Sequence, residues 1–187
     1  WRLTSSFPKT LDTLYGAAEN VAKRVLDATG GKFQIKTFAA GEIVPGLQVL
    51  DAVQNGTVEM CHSSSYYYFG KDATFAFDTS IPFGMTSRQQ TAWMDQGGGR
   101  QLMREFFHDY GIVNFMGGNT GVCMGGWFRR EIKSLADLRG LKIRSLGLGG
   151  EVFRRTGAVA GGFADHGAAV VGPRGVGLSA QADVVVG

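Results

Sequence analysis

The sequence predicts an α/β protein built on a mostly parallel sheet. Apolar and polar residues alternate at positions 1–4 and again at 33–38, which is typical of half-buried strands. Between these strands, apolar residues at 11–26 recur every three or four positions, as they do on one face of a helix. A short helix at 47–53 and a strand at 58–63 complete a β-α-β-α-β run. This run is typical of parallel strands with helices on the faces of the sheet.

The composition agrees with a folded chain of this size. The 187 residues are 44% hydrophobic and 19% charged, as in globular domains with a sizeable core. The net charge is +3 and the basic residues are scattered, so we expect no nucleic-acid partner. No apolar run approaches the roughly 18 residues of a membrane-spanning helix.

The pattern of helices and strands continues along the chain. Residues 117-GGNTG-121 predict a flexible crossing point that could act as a hinge between two lobes. The further predicted elements are helices at 87–96 and 100–110, strands at 112–116, 122–128 and 141–144, a helical turn at 134–138, and a helix that starts at residue 149.

Ligands of parallel sheets bind beyond the carboxyl ends of the strands. The loops that fall at this edge are residues 5–8, the loop after residue 38, and residues 63–70. The last of these loops is rich in hydroxyl groups and aromatic rings, which suits a small polar ligand. An alternative is that its tyrosines pack against the edge of the sheet. The candidate contacts are Ser6, Phe7, Tyr66, Tyr67 and Tyr68.

Arg144 ends the predicted strand at 141–144, just before the glycine-rich segment 145-SLGLGG-150. Arginine is rarely buried without a partner. Its planar guanidinium can meet a carboxylate with two parallel hydrogen bonds. Two explanations are therefore open: an anionic ligand, or an ion pair within the protein, for example with Asp137.

The two cysteines, Cys61 and Cys123, are too few for a disulfide scaffold and lack metal-ligand spacing. Buried free thiols are expected, and a single disulfide is the alternative if the protein is exported.

Four segments of the chain resemble the solute-binding proteins of TRAP (tripartite ATP-independent periplasmic) transporters. They are 2-RLTSSFP-8, 41-GEIVPGLQVLDAVQNGTVEMCHS-63, 123-CMGGWFRREIKSLADLRGLKIR-144 and 149-GGEVFRRTGAV-159. The most specific part is the combination of 137-DLRGLKIR-144 with 125-GGWFRRE-131. The segments 66-YYY-68 and 125-GGWFRRE-131 are most similar to receptors for 2-oxo acids such as pyruvate.

The resemblance implies a periplasmic-binding-protein-like α/β fold of two lobes, with the first lobe at 1–121 and the start of the second at 122–159. It implies that Arg144 grips the carboxylate of the substrate, and Asn119 is a further candidate contact near the hinge. The implied function is to capture a small carboxylate, pyruvate or a related monocarboxylate, in the periplasm and to deliver it to the membrane subunits of a TRAP transporter. The chain starts at Trp1 without a signal-like segment. This start fits a processed exported protein, an expression product or a gene fragment.

One departure from the family concerns a cation. In the 2-oxo acid receptors, a glutamine two positions before the double glycine helps to coordinate a sodium or calcium ion beside the substrate. Cys123 takes that place here. A thiol is a poor ligand for either ion, because both prefer oxygen donors. A cation that bridges to the substrate is therefore implied by the family but disfavoured by this residue.

A second departure is the segment 160–187, which is rich in Gly, Ala and Val and has no clean period of two or 3.6. We interpret it as a frameshifted or truncated reading, which would leave the second lobe truncated or corrupted. A divergent but genuine ending is the alternative. Asp165 and His166 are expected at the surface.

The sequence leaves two other functions open. The chain could be a non-functional fragment of a receptor, or a small α/β enzyme that acts on carboxylates. The enzyme has little support, because the sequence contains no nucleophile elbow, phosphate loop or histidine cluster. His62 is expected as a buried core residue and His108 as an exposed one.

Overall fold

The computed structural model describes residues 1–123, 126, 128–161 and 178–187. In these residues the helices are α1 (Asp12–Ala28), α2 (Val49–Gln54), α3 (Ser87–Gln96), α4 (Gly99–His108) and α5 (Gly147–Arg155). The strands are β1 (Arg2–Ser5), β2 (Lys36–Phe38), β3 (Met60–Ser63), β4 (Val113–Cys123), β5 (Lys142–Arg144), β6 (Val159–Gly161) and β7 (Leu178–Val186). Short 3-10 turns lie at Gly46–Gln48, Ser65–Tyr68, Ala73–Ala76 and Leu135–Leu138.

The described strands form two sheets. One has the order β2-β1-β3-β7-β4, and the other consists of β5 and β6. β1 runs parallel to both β2 and β3, with Leu3 opposite Thr37 on one side and Met60 on the other. The predicted parallel β-α-β-α-β run is therefore confirmed. β3 pairs antiparallel with β7, where Met60 lies opposite Val186.

Helix α1 covers one face of this sheet. Leu3 and Ala18 are fully buried and Met60 nearly so, and Val21 and Ile35 pack against them. Burying a large aliphatic side chain contributes roughly 1.5–3 kcal/mol. The spacing of three and four in α1 thus brings its apolar face onto β1 and β3.

Two predicted strands differ most from their observed bounds. β2 begins only at Lys36, because the amide of Phe33 donates to Oγ1 of Thr29 (3.1 Å) and keeps the chain against the end of α1. β4 is continuous through residues 117–121, so the break predicted there is wrong. Glycine can stay in an extended ladder as well as leave it, and Gly121 alone has a positive φ (72°) among the glycines of β4.

The strand β7 was not expected, because its Ala- and Val-rich sequence lacks a clear alternation. Residues 162–177, which include Phe163, Asp165 and His166, lie outside the described part of the chain. The interpretation of residues 160–187 as a frameshifted or truncated segment therefore stays a hypothesis.

The chain divides into two compact units. The first consists of Trp1–Ser64, Thr91–Asn119 and Gln181–Gly187, and the second of Ser65–Gln90 and Thr120–Ala180. The first unit contains β1, β2 and β3, and the second contains β5, β6, α5 and the turns at 65–68 and 73–76. The predicted lobe boundaries stay a prediction. Among the described residues, none of the helices has both the length and the apolar character that a membrane crossing requires.

Candidate functional site

In the first unit, the loop that follows β1 is held by β3. The amide of Ser6 donates to the carbonyl of His62 (2.8 Å). The hydroxyl of Ser6 donates to the carbonyl of Gly46 (2.6 Å), and its Oγ lies 2.7 Å from Oγ of Ser63. Phe7 is buried, with 6% of its surface exposed. Ser6 and Phe7 therefore follow the carboxyl end of β1, at the edge where a ligand was predicted.

In the second unit, the three tyrosines lie in the 3-10 turn Ser65–Tyr68. Tyr66 and Tyr67 are half-buried, and their rings meet edge to face with centroids 4.7 Å apart. Tyr68 is only 4% exposed and packs edge to face on Phe75. Phe75 belongs to the 3-10 turn Ala73–Ala76 and not to a sheet, so packing of the tyrosines against the edge of the sheet stays an untested alternative. The role of each tyrosine in binding stays a prediction.

A buried polar cluster lies beneath this turn. Asp78 is fully buried, and its Oδ1 is hydrogen-bonded to the hydroxyl of Ser65. The amide of Tyr66 donates to Oγ1 of Thr79 (3.1 Å). This cluster was not predicted from the sequence. Its signal was the acidic residue inside the apolar segment 75-FAFDT-79, since a carboxylate among core residues needs hydrogen-bond partners.

Arg144 ends β5, directly beside Gly161 of β6 in the parallel pair. The residue is half-buried, and its Nε is shielded from solvent. Oδ2 of Asp137 instead accepts from the backbone amides of Lys133 and Ser134 and from the Ser134 hydroxyl. These hydrogen bonds, the Ser134 hydroxyl first, lower the pKa of Asp137. The ion pair between Arg144 and Asp137 that the sequence left open is therefore wrong.

Gly147 links the arginine to the tyrosine turn. It begins α5 with a φ of +61°, and a Cβ at this position would lie 3.1 Å from Cδ2 of Tyr66. α5 also packs against the turns Ser65–Tyr68 and Ala73–Ala76. The ring of Tyr66 thus lies against a residue only three positions after Arg144. The second unit brings the end of β5 and the tyrosine turn to the same end of α5.

Both histidines in the described part of the chain are placed as expected. His62 is fully buried in β3, and this burial lowers its pKa to about 4. A neutral, buried imidazole of this kind is a poor general base at neutral pH. His108 ends α4 and is exposed.

The remaining candidates lie on or near β4. Asn119 is exposed, in the last position that β4 contributes to the first unit. Cys123 is the last residue of β4, and its side chain is not among those described. Cys61 is a buried thiol that takes part in no disulfide, as expected. Within the described ranges, no three His, Cys, Asp or Glu residues form a group suited to a metal ion.

A separate cavity of about 430 Å³ lies in the first unit, at the start of α4. Arg100, Arg104 and Asp95 are among its lining residues, and Arg100 forms an ion pair with Asp95. None of the predicted contact residues lines this cavity. The candidate site therefore rests on the strand ends and the tyrosine turn.

Residues 4–164 match the family model described as bacterial extracellular solute-binding protein, family 7. The chain belongs to this family. A monocarboxylate 2-oxoacid-binding periplasmic protein of Nostoc sp. is 57% identical over 157 residues, which are 84% of this chain and 43% of that protein. The chain thus spans less than half the length of this relative.

Solved structures of the same kind support the fold. A TRAP transporter solute-binding protein of Bordetella bronchiseptica, with calcium and picolinate at its active site, is 40% identical with a TM-score of 0.91. One of Pseudoalteromonas atlantica, with bound sodium and pyruvate, is 33% identical with a TM-score of 0.90. Both matches cover the whole of this chain, and 64% and 65% of the other chains. The predicted α/β fold class of the two-lobe solute-binding proteins is confirmed by these matches.

Proposed function

We propose that this protein is a receptor of a TRAP transporter that captures a small carboxylate in the periplasm and delivers it to the membrane subunits. The ligand class is the monocarboxylate 2-oxo acids, with pyruvate as its smallest common member. The family assignment supports the receptor role. The Nostoc relative, a 2-oxoacid-binding protein, and the pyruvate-bound structure support the ligand class.

The observation that carries this proposal is the position of Arg144. Arg144 is the last residue of β5, at the carboxyl end of a parallel strand pair, where α/β proteins bind their ligands. It is half-buried, and it does not pair with Asp137. Two parallel hydrogen bonds to a carboxylate would use the planar fork of the guanidinium and orient the acid.

The other predicted residues have supporting roles in this proposal. The rings of Tyr66 and Tyr67 would contact the carbon chain of the acid beside Arg144. Ser6, Phe7 and Asn119 of the first unit stay predicted contact residues, with a hydroxyl, an apolar and an amide group respectively. Tyr68 would support Tyr66 by packing on Phe75. None of these roles involves chemistry on the ligand, in keeping with a family of solute-binding proteins.

A cation is a separate question. The Bordetella structure holds calcium and the Pseudoalteromonas structure holds sodium together with the organic ligand. The thiol of Cys123 does not fit these ions, because they prefer oxygen donors. We infer that Cys123 adds nothing to cation binding, and that the dependence of ligand affinity on calcium or sodium is weak in this protein.

The test is a calorimetric titration of the purified protein with pyruvate, repeated with a calcium chelator and with added calcium. The Arg144→Ala variant is compared with Lys142→Ala, which removes a positive charge from an exposed position of the same strand. A charge-assisted hydrogen bond contributes about 1.5–3 kcal/mol, so we expect a loss of affinity of roughly 10- to 100-fold in Arg144→Ala. Lys142→Ala is expected to stay within about twofold of the wild type.

An affinity that Arg144→Ala leaves unchanged would exclude the carboxylate clamp. Equal losses of pyruvate affinity in both variants would mean that Arg144 acts only through its contribution to the net charge. Turnover of pyruvate or a related acid, followed by NMR in the same samples, would instead support the enzyme that the sequence left as an alternative.

A further inference from the structure

His62 is fully buried, yet it lies between two residues that shape the candidate binding loop. Its Nδ1 is 3.3 Å from Oγ of Ser5. Its ring meets that of Phe7 edge to face, with centroids 5.2 Å apart. Its carbonyl accepts the amide of Ser6 (2.8 Å). One side chain and its own backbone thus contact three successive residues of the loop.

The hydroxyl of Ser5 decides which tautomer the ring adopts. Oγ of Ser5 accepts the amide of Phe7 (3.1 Å), and in the described part of the chain its other side-chain partner is Nδ1 of His62. If Nδ1 carried a proton, the buried hydroxyl proton of Ser5 would have no acceptor. If Nδ1 is unprotonated, it accepts that proton and the ring carries its own proton on Nε2.

Counting the unsatisfied groups favours the second arrangement. Nε2 of His62 is buried and has no hydrogen-bond partner among the described residues. With the proton on Nε2, this N–H is the one group without a partner. With the proton on Nδ1, two groups lack a hydrogen-bond partner: Nε2 of His62 and the hydroxyl proton of Ser5. Each unsatisfied buried polar group is costly, so the ring is expected in the Nε2–H form.

We propose that neutral His62 is a positioning residue that fixes Ser6 and Phe7 at the ligand edge through the Ser5 hydroxyl. The link to ligand binding rests on the proposed function. The hydrogen-bonded arrangement of the loop does not depend on the proposed function.

The surroundings of His62 keep it neutral. The described elements packed against β3 are β1, α2 and β7, and their charged residues are Arg2, which pairs with Glu59, Asp51 of α2, and Asp183 of β7, which lies opposite Ser63 in the strand pair. Burial lowers the pKa of His62 to about 4. The folded state therefore disfavours protonation. Stability is expected to fall as the pH drops from about 6.5, the value of an unfolded histidine, and to level off near 4.

The first experiment needs no variant. In the ¹⁵N spectrum of the wild type at pH 7, we expect Nδ1 of His62 to have the shift of an unprotonated ring nitrogen and Nε2 that of a protonated one. The exposed His108 gives a reference ring in the same spectrum. A proton on Nδ1 would overturn the proposed hydrogen-bond arrangement.

The second experiment measures amide exchange of residues 5–8 in two variants. His62→Asn keeps an acceptor near the position of Nδ1 but cannot titrate, whereas His62→Leu removes the acceptor. We expect exchange about tenfold faster in His62→Leu and close to the wild-type rate in His62→Asn. Cys61→Ala is the control, because it shortens another fully buried side chain of β3 and leaves both partners of Ser5 in place.

Pyruvate titrations between pH 7 and pH 4 complete the test. We expect wild-type affinity to fall more steeply with acid than that of His62→Asn. Faster exchange in His62→Leu without any pyruvate binding by the wild type would keep the positioning role and reject pyruvate as the ligand. Equal exchange in His62→Leu and the wild type, or identical pH profiles in His62→Asn and the wild type, would reject the positioning role.

Discussion

The two units hold their candidate binding segments in different ways. In the first unit, the loop after β1 is fixed by neutral groups: the hydroxyls of Ser5 and Ser63, the imidazole of His62 and backbone amides. In the second unit, the tyrosine turn rests on the buried carboxylate of Asp78, and Arg144 brings a full positive charge. The candidate segment of the second unit thus carries a full positive charge, whereas that of the first unit is held by neutral groups.

The difference has a physical reason. A neutral network can be buried without the large desolvation cost of a charge, so it suits a loop that only has to keep its conformation. In the proposed function, the guanidinium of Arg144 binds an anion, which requires a charged group and gives two oriented hydrogen bonds. We expect mutations of the ionic groups to change stability or ligand affinity more than mutations in the neutral network do.

The largest effect on stability is expected for Asp78→Ala. Hydrogen bonds to charged groups contribute about 1.5–3 kcal/mol, and neutral ones about 0.5–1.5 kcal/mol. Asp78→Ala should therefore lower the free energy of unfolding more than Ser5→Ala does. Urea unfolding of both variants measures the difference. Equal losses would show that the two networks are energetically alike, and the contrast between the units would fail.

An intermediate effect is expected for Gly147→Ala. The positive φ of 61° and the contact with Tyr66 both oppose a methyl group at this position. Gly140 of the same unit has a similar φ (69°) with nothing within 4 Å of its Cβ position, so Gly140→Ala provides the matched control. The backbone strain alone should cost about 1–2 kcal/mol in both variants.

Pyruvate affinity separates the two alanine variants. Only Gly147→Ala should weaken binding, because only there does the new methyl group displace Tyr66, a predicted contact residue. If Gly140→Ala weakened binding equally, strain in the backbone rather than the placement of Tyr66 would explain both results.

The smallest effect is expected for the surface ion pair of the first unit. Nη2 of Arg2 lies 2.7 Å from Oε1 of Glu59, and this hydrogen bond is the main reason that the pKa of Glu59 is lowered to about 2. A lowered pKa means that the contribution is complete above about pH 4.5 and is lost as the pH falls toward 2. The pair is exposed, so the contribution is small.

Thermal melts of the wild type and Glu59→Gln check this dependence. The advantage of the wild type in Tm at pH 6 should shrink at pH 3 and vanish near pH 2. A constant difference across this range would mean that the carboxylate acts by packing rather than by charge.

Short-range patterns of apolar and polar residues predicted the helices and strands whose formation depends on neighbouring residues. The spacing in α1 and the alternation in β1 and β2 identified the parallel core, and the strand ending at Arg144 was predicted one residue longer than β5. The break predicted at 117–121 failed because the glycines stay in the ladder of β4.

The residues missed in the site depend on contacts between distant parts of the chain. Ser5 meets His62 across 57 positions, and Ser65 meets Asp78 across 13. No periodicity encodes such pairs. The exclusion of Asp137 as the partner of Arg144 likewise required the structure. Asp137 is engaged by Lys133 and Ser134, which directly precede its 3-10 turn Leu135–Leu138.

The antiparallel pairing of β3 with β7 has a consequence for the order of folding. Residues 60–63 are synthesised early and can join β1 at once, but the strand that covers their other edge lies at residues 178–186. Until that strand arrives, β3 presents a row of unpaired amides and carbonyls, which is a template for association with other chains. The nascent protein therefore passes through a stage with an open sheet edge. Pairing with β7 then covers this edge of β3.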